Sequence, residues 1–279
     1  MYRIILFILL SFPGWLFHTA APAQNNRQFP YALSGYREAA LIIPGSLLIN
    51  VSAWGHNHKS QLTVQEVMQL QPGHINFIDR PATRFWNPEL NRYREYLKPT
   101  SILMVGGGIV AYGLWYKSRN YEWEALKTLG LMYLEGAYLS IGSMSLTKIV
   151  INRPRPYVFN KSLPLEQKIR VSNNESFFSG NATILFYNAV FLSSVIQDIF
   201  PESRLSPWIW AASLSIASLS GYWSVRSGMH YPTDVLTGAL VGGVAGFFIP
   251  RLHKKKIQGL SLQPWIGYYG KGMSVRLDF

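Results

Sequence analysis

Five long apolar segments constrain this chain more than any other feature. They span roughly 99–116, 126–151, 182–200, 207–222 and 233–250. An apolar run of that length must bury itself, either in a helical bundle or in a bilayer that about 20 helical residues can cross. Small residues recur within the runs, at Gly106, Gly107 and Gly108, at Ser140, Ser143 and Ser145, and at Ser213, Ser215, Ser218 and Ser220. Small side chains let helix backbones approach closely. The expectation is an all-α bundle of five to six apolar helices over residues 99–252, inserted in or associated with a membrane. A soluble exported bundle is the other arrangement this pattern allows.

Composition narrows the partners. Charged residues make up 14% of the chain, against roughly 25% in average soluble domains. The net charge of +12 suits phosphorylated substrates or anionic lipid. The basic residues are scattered, with a single run at Arg251, Lys254, Lys255 and Lys256, which argues against nucleic acid. There is no cysteine, so disulfide and thiolate chemistry are excluded.

The flanks read differently. Arg3, the apolar stretch Ile4 to Leu10 and the small-x-small site Ala21-Pro22-Ala23 read as a signal peptide over residues 1–23, hence export. Residues 24–98 read as an arm with interfacial or short helices. Within it, 38–54 is apolar but holds Pro44 and Gly45, so a broken or interfacial segment is expected. Pro72-Gly73 and Asn87-Pro88 read as turns. His56 and His58 have no accompanying carboxylate and read as a solvent-exposed pair, so no metal site is expected. Residues 253–279 read as a basic linker and a β-hairpin turning at Gly270-Lys271-Gly272, because Met273, Val275, Leu277 and Phe279 alternate with polar residues. If residue 24 is exported and 38–54 does not cross, the loops after 126–151 and 207–222 lie outside, and Lys254 to Lys256 lie inside as the positive-inside rule prefers.

Three stretches carry candidate chemistry, each at a helix end. Lys148 would sit in the last turn of one helix, and Arg155 in the extended exit forced by Pro154 and Pro156. Two such cations can converge on one anion, though basic residues also simply complement a helix C-terminus. Ser179 is placed to cap the following helix, and Gly180 lets its backbone approach a ligand; free amides at a helix start bind anions. His230 precedes another helix, with Asp234 four residues on. A carboxylate there can accept one imidazole N–H and leave the other nitrogen free for attack, or the pair can serve only as a helix cap.

Taken together, these residues resemble the phosphatidic acid phosphatase type 2 (PAP2) superfamily over roughly residues 95–250. Its motifs are K-x6-R-P, P-S-G-H and S-R-x5-H-x3-D. Lys148, Arg155 and Pro156 match the first, Ser179 and Gly180 the middle of the second, and His230 and Asp234 the end of the third. The resemblance implies a cofactor-free phosphatase in which His230 attacks phosphorus, Asp234 holds its ring, and Lys148, Arg155 and the amides at Ser179-Gly180 stabilise the equatorial oxygens. Two positions depart from the motifs. Asn181 stands where the family's proton-donating histidine would be, and Ser224 where its arginine would be. Arg226, two residues later, is the candidate replacement for that arginine, and Glu175 a candidate for the acid. The implied substrate is a lipid phosphate or another phosphomonoester, handled at the periplasmic face of an inner membrane or in the periplasm. Because losing a general acid costs about 10²–10⁴ in rate, activity would be impaired. A non-catalytic member binding a phosphate head group or a protein partner is the alternative.

Overall fold

The computed structural model describes residues 29–118, 123–255, 260–267 and 270–277. The expected signal peptide lies outside them. Eight helices account for the architecture: α1 (Gly35–Asn57), α2 (Val64–Gln69), α3 (Pro88–Ser118), α4 (Glu124–Val150), α5 (Leu165–Lys168), α6 (Gly180–Ile199), α7 (Ser206–Arg226) and α8 (Pro232–His253). The six long ones form the bundle, and α1, α3, α6 and α8 are long and apolar enough to cross a membrane. The fold is all-α. Beyond it, Leu260–Gly267 and Gly270–Leu277 pair antiparallel, with Gly267 opposite Gly270. That register puts Gly270 to Gly272, read above as the turn, in the second strand.

Two elements differ from expectation. Residues 38–54 belong to one unbroken helix of 23 residues with Pro44 inside it. Gly45 explains the accommodation: a Cβ there would come within 2.9 Å of Tyr138, so α1 lies backbone-close along α4. The second difference is the start of α3, eleven residues before the apolar run. Asn87 Oδ1 accepts from the Glu89 and Leu90 amides at 3.0 Å each, and Pro88 occupies the first helical position, where its missing N–H costs nothing. The polar residues Arg92, Arg94, Glu95 and Lys98 concealed these turns.

An unbroken α1 changes the end-to-end layout. Tyr31 bridges to Lys254, so residues 29–34 sit at the far end of α8 from His230. Residues 29–34 and the candidate chemistry therefore lie at opposite ends, not together as the non-crossing reading required.

The tightest seam joins α6 and α8. Gly238, Gly242 and Gly246 of α8 lie against the backbone of α6: an added Cβ would approach Ser179 O at 2.5 Å from Gly238 and Tyr187 O at 2.7 Å from Gly246, and would collide with Thr183 O from Gly242. Overpacking of this kind costs about 1–3 kcal/mol. Gly242→Ala should therefore lower the thermal unfolding midpoint of the detergent-solubilised protein. Gly107→Ala, where a Cβ meets nothing within 4 Å, should not lower it.

Candidate active site

The site forms where α4 ends and where α6 and α8 begin. Ser179 Oγ accepts from the Ala182 amide at 3.4 Å and caps α6, while its own N–H donates to Asp234 O at 3.0 Å. This backbone bond joins the Ser179-Gly180 turn directly to the first turn of α8. Gly180 lies against Met144, whose sulfur leaves no room for a Cβ.

His230 is 2% exposed, and its protonation follows from its neighbours. Nδ1 lies 2.8 Å from Ser176 O, a carbonyl that can only accept. Nε2 lies 3.3 Å from Arg155 Nη1, a guanidinium that can only donate. The ring is therefore neutral, with its proton on Nδ1 and its lone pair on Nε2. Burial pushes its pKa down to about 3; the Arg155 and Arg94 charges push the same way and Asp234 opposes them. The expected His230–Asp234 bond is not the one that forms, because Asp234 Oδ2 stands 3.7 Å from Nδ1. That oxygen instead accepts from Ser176 Oγ at 2.6 Å and the Tyr231 amide at 2.9 Å. Asp234 thus holds the two segments that hold the histidine.

Arg153 and Asp79, neither singled out from the sequence, complete this support. Arg153 donates to Asp234 Oδ1, to Thr233 Oγ1 at 2.9 Å and to Asp79 Oδ2 at 2.6 Å, and its guanidinium lies 4.1 Å over the Tyr231 ring. Asp79 also accepts from the Thr233 amide at 3.0 Å and hydroxyl at 2.6 Å, capping α8 from a distant loop. Burial would raise the Asp79 pKa, but the bonds from Thr233, Asn76 and Arg153 outweigh it and hold it below the usual value. The signal for Arg153 was its place inside R-P-R-P; nothing near Asp79 in the chain pointed to it.

The cations divide into two sets. Arg155 is buried, donating to Ser172 O at 2.8 Å and Met229 O at 3.0 Å. Lys148 is half-buried, within electrostatic reach of Arg155, Lys98 and Arg94. Arg94 of α3 is 3% exposed and donates to Asn91 Oδ1 and to Glu95 Oε1. Tyr93 beside it packs on Trp223, with ring centroids 6.0 Å apart. Arg226 does not join them: it is exposed, with its guanidinium 4.3 Å over Phe85. The reason is that α7 continues through Arg226. An extended chain would have put residues 224 and 226 on one side; a helix turns them about 200° apart.

At the proton-donor position, Asn181 is buried and its Nδ2 has no hydrogen-bond partner. His56 is exposed as expected, but it does have a carboxylate partner: Glu175 Oε1 accepts from its Nδ1 at 2.9 Å at the rim beside Lys59. Lys59 in turn donates to the Lys148 carbonyl.

A buried neutral histidine, a nearby carboxylate and cations gathered at helix ends suit a PAP2-type, phosphatase-like membrane protein. The PAP2 superfamily profile matches residues 128–258, and over that region the chain is of PAP2 type. It is 26% identical over 163 residues to the bacitracin transport permease protein BcrC of Bacillus licheniformis, covering 58% of this chain and 70% of that one. Among solved structures, a transmembrane PAP2-type phosphatidylglycerolphosphate phosphatase from Bacillus subtilis is similar at a TM-score of 0.45 and 22% identity, over 78% of this chain and 96% of that one. LpxE of Aquifex aeolicus is similar at a TM-score of 0.36 and 26% identity, over 62% and 92%.

The burial of His230 has a pH signature. Its folded pKa lies below the ordinary 6.5, so the unfolded chain binds a proton that the folded one refuses. Stability from this group is full above about pH 6.5 and is lost as pH falls towards 3. His230→Gln has nothing to protonate there. It should lose less thermal stability than wild type between pH 7 and pH 4.5, as read by unfolding midpoints in the same detergent.

Proposed function

We propose that the chain is a membrane phosphatase that hydrolyses a lipid phosphate or related phosphomonoester through a phosphohistidine on His230. The observation that carries this reading is the His230 ring, fixed as the neutral Nδ1–H tautomer with Nε2 beside Arg155. An incoming phosphate oxygen takes the Arg155 N–H, and this frees the Nε2 lone pair for in-line attack. Lys148, Arg155, the amides at Ser179-Gly180 and the Asn181 Nδ2 then face the equatorial oxygens, where transition-state charge collects. Arg94 supplies, from α3, the cation that Ser224 no longer provides. Asp234 acts as a positioning residue through Ser176 and Tyr231.

Proton donation to the leaving group is the weakened step, because an amide at residue 181 cannot supply a proton. The His56–Glu175 pair at the rim is the replacement donor this reading assigns. Aryl phosphates, which leave without help, should turn over faster than alkyl phosphates, and His230→Ala should abolish both. Arg94→Ala should reduce aryl turnover about 10²-fold or more, the scale for losing one transition-state charge partner, while Arg226→Ala leaves it unchanged. Asn181→His should raise the alkyl rate selectively. If wild type and Asn181→His both leave every ester intact while orthovanadate still binds, the chain is a phosphate-binding protein without turnover.

The same reading places the site on the outer face, with the exposed cations Lys117, Arg251, Lys254 and Lys255 at the other end inside. The native chain has no cysteine, so single cysteines report cleanly. Ser172→Cys should react with an impermeant maleimide in intact cells, and Ser118→Cys only after lysis. The reverse pattern is what an exported residue 24 followed by a spanning α1 would produce.

A further inference from the structure

A second cluster of buried ionisable groups lies at the opposite end of the bundle and has no part in the chemistry above. Glu38 of α1, Glu135 of α4 and His253 at the end of α8 meet there, all buried. α8 is 22 residues long, which puts this cluster on the order of 30 Å from His230.

The histidine is oriented with unusual definition. Its Nδ1 lies 2.8 Å from Ile249 O, an acceptor only, so Nδ1 carries a proton. Its Nε2 faces Glu135 Oε2 at 3.0 Å and Glu38 Oε1 at 3.3 Å. Neither contact has hydrogen-bond alignment: among the described residues, Nε2 and both Glu135 oxygens have no hydrogen-bond partner, although all are buried. A neutral Nε2 would turn a lone pair on two carboxylates, which is repulsive. A protonated Nε2 would be expected to close a straight charge-assisted bond of about 2.7–2.9 Å on one of them. The nitrogen does neither and points between the two oxygens.

That is the arrangement of ligands around a shared centre. Atoms each about 2.0–2.2 Å from one ion stand about 3–3.5 Å from one another, and 3.0 and 3.3 Å are the spacings of Nε2 from the two oxygens. The three ligand atoms all fall within 4.8 Å of one another. The supporting contacts also suit a metal site. Ile249 O fixes the ring from behind, as outer partners of ligating histidines do. Glu38 is held in place through its other oxygen by the Ser34 amide at 2.7 Å, and Arg37 shares Oε1 at 2.7 Å.

We propose that Glu38, Glu135 and His253 bind a divalent transition-metal ion of the zinc class, a structural ion that fastens α1, α4 and α8 at the end remote from His230. One imidazole and two carboxylates without a thiolate suit such an ion. Full-length protein purified without chelator, loaded with zinc or cobalt and dialysed, should retain one ion per chain by elemental analysis. The cobalt form should show the visible bands of a low-coordinate site. His253→Ala and Glu135→Gln should each weaken retention by more than the ~10-fold that loss of an outer contact can cost, and His230→Ala should retain the ion in full. Zinc should raise the unfolding midpoint of wild type and not that of Glu135→Gln, which keeps the side-chain volume. Wild type that retains no ion, or retention unchanged in both cluster variants, overturns the proposal and makes Nε2 an imidazolium paired with Glu135.

Discussion

The arrangement at the active end depends on one guanidinium. Arg153 reaches Asp79 in the loop before α3, and Thr233 and Asp234 in the first turn of α8. The two carboxylates are fully buried, and neither would be tolerable there without a counter-charge. Breaking one partner of such a pair typically costs about 3–5 kcal/mol, because the remaining charge stays buried. Two segments far apart in sequence, the Asp79 loop and the exit of α4, are thereby fixed to the start of α8, and Ser176 bonds there through Asp234. The motif arginine Arg155, bonded to the Ser172 and Met229 carbonyls and 3.3 Å from His230 Nε2, stays outside this carboxylate network.

How legible this was in the sequence depended on range. The apolar runs fixed the long helices to within a few residues at most ends, since burial and periodicity are local properties. Lys148, Arg155, Ser179 and His230 were legible because helix ends bring short motifs together. Asp79 was not, because its partners at the site, Arg153 and Thr233, lie over 70 residues away and nothing around it is unusual. Arg94 was hidden because a polar helical start looks like a loop when apolar content is the signal. Arg226 was misplaced for the converse reason: its candidacy needed an extended chain, yet the helix persists through Arg226 and Gly228 makes the turn with φ at +74°. Pro44 misled similarly, because the helix keeps its course where packing against α4 favours it.

The site differs from its family pattern in where charge originates. In the motif, an arginine precedes the nucleophile on the same segment. Here that place is a buried serine whose hydroxyl donates to Ser220 O, and the proposed function draws the corresponding cation, Arg94, from α3. The donor position is likewise an amide, with a histidine-carboxylate pair at the rim. Function at such a site rests on the sum of positive charge and its placement around the phosphate, and neither requires that every group come from its customary segment.

The glycine seam between α6 and α8 bears on how such substitution is tolerated. Gly238 brings the α8 backbone against the Ser179 carbonyl, and the Ser179 amide in turn bonds Asp234 O. The spacing between the Ser179-Gly180 turn and α8 is thus a distance between two main chains. Side chains around it can be exchanged without resetting that distance. A lineage with such a built-in gauge can lose a motif residue, recruit a replacement from another helix, and keep its reacting atoms in register throughout.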